Sequence, residues 1–127
     1  MRGRTILIVD DEPRNTFALT SYLEQLELNI YSTEDGFGAI DLLSKHPEIE
    51  IVLMDMMMPE MDGYETIQRI KGKKETAHIP IIAVTAKAMK GDREKCLGAG
   101  AAEYVSKPVR ISELLEKMGA LLHGYDR

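Results

Sequence analysis

The chain has no tryptophan, two phenylalanines and a single cysteine, Cys96. One thiol cannot form an internal disulfide framework, so stability has to come from an apolar core, and a reducing, cytoplasmic setting is the expectation. Long hydrophobic runs are also missing. None approaches the ~20 residues that a membrane-spanning helix requires, and Met1-Arg2-Gly3-Arg4 leads into a short strand-like segment rather than a secretory leader. Positive charge is in the minority, with 16 Lys and Arg against 21 Asp and Glu for a formal net charge of −5. That balance disfavours nonspecific attachment to nucleic acid or to an anionic membrane, and favours protein surfaces or cations as partners. What the chain does have is 127 residues, 44% of them hydrophobic, enough to fill one core without staples. No linker, repeat or low-complexity tract breaks it, so the expectation is a single domain over residues 1–127 with no output domain.

Five short apolar or β-branched segments are bounded by turn residues and read as strands: Thr5–Val9, Leu28–Tyr31, Ile51–Met54, Ile81–Thr85 and Glu103–Ser106. Between and after them, apolar residues recur at helical spacing: Leu19, Leu23, Leu26; Ala39, Leu42, Leu43; Thr66, Ile67, Ile70; Met89, Cys96, Leu97; and Leu114, Met118, Leu121, Leu122. Pro13 suits a first helical turn and Asp92 an N-cap, while Gly72, Gly98 and Gly100 suit helix stops. Strict alternation of strand and helix implies right-handed crossovers and a parallel sheet covered on both faces, a doubly wound α/β domain of five strands and five helices.

Sheets of this kind bind ligands beyond the carboxyl ends of their strands. The residues there are Asp10-Asp11, Asp55, Thr85-Ala86 and Lys107-Pro108. Asp55 follows four apolar residues and precedes three methionines. A carboxylate in such a place needs a partner, a hydrogen bond or a metal. Three carboxylates facing one crevice raise one another's pKa unless a cation intervenes. Magnesium suits them, since it takes one or two carboxylates, several waters and a phosphate oxygen, and no nearby His or Cys points to zinc; manganese is an acceptable substitute. Lys107 and Thr85 suit phosphoryl oxygens, so the set is fitted to a phosphoryl group on Asp55.

These residues lie within "VDDEPRN", "LMDMMMPEMDGYE", "IPIIAVTA" and "YVSKP". Together, from Thr5 to about Leu122, they resemble the receiver domain of two-component response regulators, in particular receivers of hybrid histidine kinases and single-domain regulators. The resemblance implies a flavodoxin-like strand order 2-1-3-4-5. It implies that Asp55 accepts a phosphoryl group from a phosphohistidine. It also implies that Asp11, Asp55 and the backbone carbonyl of Met57 ligate Mg²⁺, with Asp10 acting through the metal's waters. Lys107, Thr85 and the backbone N–H groups of Met57 and Ala86 would bind phosphoryl oxygens. Thr85 and Tyr104 would form the switch, remodelling the surface of the fourth helix, fifth strand and fifth helix. The implied partners are a histidine kinase or histidine phosphotransfer protein and a downstream protein target. The module would not be a conventional enzyme, although it would assist its own phosphorylation and dephosphorylation. Lys107-Pro108 is expected to be cis by the same resemblance. Met57 stands where the family often has a polar group; a thioether cannot orient a hydrolytic water, so a comparatively long-lived aspartyl phosphate is expected. Lys87 is an unusual neighbour of Thr85 with no sign assigned to its effect.

Blander roles exist for each residue taken singly. Asp10 and Asp11 are ordinary helix caps, Thr85 a strand residue, Lys107 a solvated lysine and Tyr104 a core aromatic. Met54, Met56, Met57, Met58 and Met61 read as packing and loop residues rather than a soft-metal site. His46, His78 and His123 read as surface residues and Cys96 as a small buried hydrophobe. Pro59 and Gly63 shape the loop beside the site. Among other functions, a haloacid-dehalogenase-type phosphohydrolase needs a second acid where this chain has Met57, and "GKKET" lacks the phosphate-loop spacing. A phosphorylation-independent adaptor is the remaining alternative.

Overall fold

The computed structural model describes residues 3–57, 62–85 and 91–125. The expectations placed on Met58, Pro59, Met61, Ala86, Lys87 and Met89, and on the side chain of His123, lie outside the described residues.

The chain alternates strictly: β1 (Thr5–Val9), α1 (Pro13–Gln25), β2 (Asn29–Thr33), α2 (Gly36–Lys45), β3 (Ile51–Asp55), α3 (Gly63–Lys71), β4 (Ile81–Thr85), α4 (Asp92–Ala99), β5 (Glu103–Ser106) and α5 (Ile111–Tyr125). All four strand pairings are parallel and the sheet order is β2-β1-β3-β4-β5. β1, β3 and β4 are buried at every position, which is why they read as unbroken apolar runs rather than alternating ones. Their side chains divide by parity between two cores. Leu7, Val9, Val52, Met54, Ile81 and Ala83 pack with Leu43, Ile67, Ile70 and Cys96 from α2, α3 and α4. Ile6, Ile8, Ile51, Leu53, Ile82 and Val84 pack with Leu23 of α1 and Leu114, Met118 and Leu122 of α5. The alternation follows from the two-residue period of a strand.

Several local expectations shift. β2 runs Asn29–Thr33, because its outer edge is open to water and the mixed pattern NIYST suffices there; Leu28 is buried just before the strand. β3 extends through Asp55, since Asp55 still pairs with Val84 and the Met56 N–H donates to the Val84 carbonyl at 3.0 Å. Neither Asp10 nor Asp11 caps α1: the N-cap is Glu12, without a side-chain bond, and Pro13 fills the first turn. Asp92 is the first residue of α4, and its N-cap is Gly91 at φ 91°. Gly98 lies inside α4, which stops instead at Gly100, at φ 123°, a left-handed value that favours glycine. A Cβ at Gly100 would also come within 2.9 Å of Lys71 Cγ. His46 is more than a surface residue: it caps the end of α2, stacks on Tyr31 at 4.4 Å between ring centroids and approaches Glu48 at 3.4 Å. Cys96 is fully buried, as expected.

Candidate functional site

Because β1, β3, β4 and β5 are parallel and in register, their carboxyl ends share one rim of the sheet. Asp10 follows β1, Asp55 closes β3, Thr85 closes β4 and Lys107 follows β5. Ladder bonds fix each end. The Asp10 N–H donates to the Thr33 carbonyl at 3.1 Å, and the Lys107 N–H donates to the Thr85 carbonyl at 2.7 Å. The Lys107-Pro108 peptide is cis.

The side chains meet there. Carboxylate oxygens of Asp10, Asp11 and Asp55 all lie within 4.8 Å of one another. Lys107 Nζ stands 3.6 Å from Asp55 Oδ2 and 3.7 Å from Asp10 Oδ2. Asp10, Asp55 and Thr85 are buried, with 4%, 3% and 4% of their surface exposed, whereas Asp11 is open to solvent. Asp10 Oδ1 accepts the Glu12 N–H at 2.8 Å, and Asp55 Oδ1 accepts the Met57 N–H at 3.0 Å. Both are local side-chain turns that fix the carboxylates against their own loops.

The electrostatics are those of crowded acids that outnumber their cation. Burial pushes the Asp55 carboxyl up to about 6; the Met57 N–H and the Lys107 ammonium pull it down, while the charge of Asp10 and a hydrogen bond to Asp11 push it up. Three acids against one lysine leave a negative surplus, and the donor set is all oxygen, with neither imidazole nor thiol in the cluster. Such a set fits a hard divalent cation of the magnesium type.

Tyr104 is half-buried on β5, against the core on the α2, α3 and α4 side. Lys117 of α5 donates to its carbonyl at 2.6 Å, with Nζ 5.7 Å from the ring centroid. The Met57 side chain is 68% exposed, so only its backbone is engaged with Asp55.

Two features were not legible in the sequence. Gly63 stands against the peptide behind Asp55: a Cβ there would fall 2.7 Å from Met56 Cα and 2.9 Å from the Asp55 carbonyl oxygen. "Asp-Gly" signals a turn but not that close approach. A cleft of about 320 Å³ also opens from Asp55 and Lys107 between α1 and α5, walled by Ala18, Leu19, Tyr22 and Pro108. Its sequence trace is faint: Asn15, Ala18 and Tyr22 recur at helical spacing beyond the core-facing Leu23.

The model of the response regulator receiver domain matches residues 6–119. The polar-differentiation response regulator DivK of Brucella ovis is 34% identical over 119 residues, covering 94% of this chain and 96% of that one. A probable cyclic di-GMP phosphodiesterase of Vibrio cholerae is 41% identical over 114 residues, 90% of this chain, and this chain spans 25% of that protein's length. Among solved structures, the receiver domain of a sensor histidine kinase from Pseudomonas aeruginosa, with a magnesium ion coordinated in its active site cleft, has a TM-score of 0.87 at 33% identity, covering 95% of this chain and 98% of that one. The chemotaxis protein CheY4 of Vibrio cholerae shares the fold with a TM-score of 0.87 at 20% identity, over 94% of this chain and 98% of that one. No helix among the described residues is long and apolar enough to cross a membrane.

Proposed function

This chain belongs to the receiver domain family of response regulators, and from that premise we propose that it is a phosphoacceptor in two-component signalling, with Asp55 taking a phosphoryl group from a phosphohistidine. The observation that carries this is the meeting, on one rim of the sheet, of a buried Asp55, two further acids within 4.8 Å and an ammonium at 3.6 Å.

Each residue has a role that its position supports. An ionised Asp55 oxygen forms the new bond to phosphorus as the phosphorus–nitrogen bond of the phosphohistidine breaks. With its pKa at about 6, Asp55 is mostly ionised at neutral pH. Asp11, Asp55 and the Met57 carbonyl would hold Mg²⁺, or Mn²⁺ in its stead, with Asp10 acting through the metal's waters. When bound, that ion supplies neutralisation of the carboxylate and phosphoryl charge. Lys107 holds one phosphoryl oxygen, the Thr85 hydroxyl a second, and the Met57 N–H, now on Asp55 Oδ1, is placed to donate to another. The cleft between α1 and α5 leads directly to Asp55 and has apolar walls. It supports docking of a protein that carries the phosphohistidine, a histidine kinase or phosphotransfer protein, rather than of a highly charged nucleotide.

The signal would leave through a surface. A phosphoryl group adds about −1.5 to −2 charge and three acceptors, enough to draw Thr85 towards it and let Tyr104 turn inward. The α4, β5 and α5 face would then present a different contour to a downstream protein target. No further domain is needed for this chemistry; the module is a signalling part rather than a conventional enzyme, and its expected place is the cytoplasm.

The test is intact mass after incubation with acetyl phosphate, with and without Mg²⁺, on the wild type and on Asp55→Asn. A metal-dependent gain of one phosphoryl group, labile to hydroxylamine and absent in the variant, is expected. A folded protein that binds Mg²⁺ yet gains nothing under any condition would overturn the proposal in favour of a phosphorylation-independent adaptor.

A further inference from the structure

The sulfur atoms of this chain are unequally guarded. Met54, Met56 and Met118 have at most 2% of their surface exposed, and Cys96 has none. Burial also raises the Cys96 thiol's pKa, so little of it is the reactive thiolate. Met57 is 68% exposed. Among the described residues it is the one sulfur that a dissolved oxidant can meet. It is also rooted at the acceptor, since its own N–H donates to Asp55 Oδ1 at 3.0 Å. Among the described residues, no core contact of this thioether gives a structural reason for a large apolar side chain at this rim.

We propose that Met57 is a reversible oxidation site, through which a hydroperoxide shortens the life of the phosphoryl group on Asp55. The proposal rests on the receiver function argued above and adds a regulator to the same site. The chemistry balances. A lone pair on the thioether sulfur attacks the outer oxygen of the hydroperoxide and the O–O bond breaks. The leaving oxygen takes up the proton that the sulfur-bound oxygen gives up, giving water when the oxidant is hydrogen peroxide. Sulfur is oxidised by two electrons to the sulfoxide and the peroxide is reduced by two.

The consequence follows from polarity. An aspartyl phosphate is lost when a water attacks phosphorus, and a group that holds such a water beside the site speeds that step. A thioether is a weak acceptor and leaves the water unordered. The sulfoxide oxygen is a strong acceptor on the same flexible stem, two residues from the phosphorylated carboxylate. Because sulfoxide reductases return it to the thioether, the change is a switch rather than damage.

The experiment begins with graded hydrogen peroxide and fragment-ion mapping that separates Met57 from Met58, followed by the decay of the phosphoryl group read by intact mass. Met57 is expected to oxidise ahead of Met54, Met56 and Met118, decay to quicken roughly threefold or more, and sulfoxide reductase to restore the slow rate. Met57→Leu should decay at one rate with or without peroxide, and Met57→Gln, which carries an acceptor without oxidation, should decay faster than Met57→Leu. Full oxidation of Met57 with unchanged decay, or oxidation of the buried methionines first, overturns the proposal while leaving the receiver function intact. Failure of the reduced protein to take up a phosphoryl group overturns both.

Discussion

Replacing Asp55 by Asn should make the metal-free protein more stable at neutral pH, although it removes half of an ion pair. The free carboxyl, 3% exposed, has its pKa raised from 3.8 to about 6, with burial the largest cause. At about 1.4 kcal/mol per unit, ionising it in the folded state costs about 3 kcal/mol relative to the unfolded chain. The sign follows from proton counts. Between pH 3.8 and about 6 the folded state holds the Asp55 proton that the unfolded state has released, so stability falls as pH rises through that window. The amide introduced by Asp55→Asn would keep an oxygen for the Met57 N–H, has no charge to bury, and leaves Lys107 its second partner, Asp10, at 3.7 Å.

The assay is urea unfolding in EDTA from pH 8 downwards, on both proteins. Asp55→Asn is expected to lead by about 2–3 kcal/mol at pH 7.5, or roughly 5–10 °C in Tm for a domain of this size, with the lead shrinking towards zero as pH falls from 6 to 4. Taking the difference between two proteins cancels the carboxylates away from the cluster. Mg²⁺ should then reverse part of the lead: at a hundred times Kd it stabilises the wild type by about 2.7 kcal/mol, and the variant, with one charged ligand fewer, by less. An Asp55→Asn variant less stable than wild type in EDTA at pH 7.5 would refute the reasoning, because the Lys107 pair would then outweigh the desolvation of Asp55.

Asp11→Asn removes the solvent-exposed acid of the cluster and should weaken Mg²⁺ binding by roughly tenfold or more, with little change in metal-free stability; calorimetry reads this directly, which matters in a chain without tryptophan. Lys107→Ala deletes the ammonium 3.6 Å from Asp55. It should tighten Mg²⁺ binding about threefold to tenfold, because a like charge leaves the metal's neighbourhood, while slowing phosphoryl uptake from acetyl phosphate; weaker metal binding would contradict the electrostatic account. Gly63→Ala forces a Cβ to within 2.7 Å of Met56 Cα. Since that atom is backbone, about 1–3 kcal/mol of destabilisation is expected together with slower phosphorylation, and a neutral effect by urea unfolding would show that the loop behind Asp55 yields freely.

The fold and the meeting of Asp10, Asp55, Thr85 and Lys107 at one rim were legible because they rest on signals local to each strand. Ile51–Met54 and Ile81–Thr85 are buried on both faces, so apolar composition alone marks them, and the polar residue that ends each run falls at the rim. The edge strand was harder. β2 has one pairing side and one wet side, so Asn29, Ser32 and Thr33 satisfy it as well as apolar residues would, and its limits shift. Helix ends misread for a related reason: Asp92 is a good cap by composition, but the left-handed turn at Gly91 sets the start of α4 one residue earlier. Close approaches carried no signal at all. Gly63 against Met56 and Gly100 against Lys71 are set by which elements the sheet brings together, and a single sequence does not encode that distance in any local pattern.

The cluster of acids is an arrangement the fold tolerates rather than one that stabilises it, and this gives the site leverage. Register holds Asp10 and Asp55 together at the ends of two fully buried strands, so the repulsion between them cannot relax by moving apart. A bound cation would release that tension, and on the proposed function a phosphoryl group would add contacts to Thr85 and Lys107. A switch can be shifted only by the free energy that distinguishes its two states. On the proposed function Tyr104 would use it. Lys117 grips the carbonyl of that residue, at 2.6 Å, and β5 is held by its pairing with β4. On the proposed function the ring would turn about its own side-chain bond while the strand keeps its register, repacking where it meets the core and changing the face between α4 and α5.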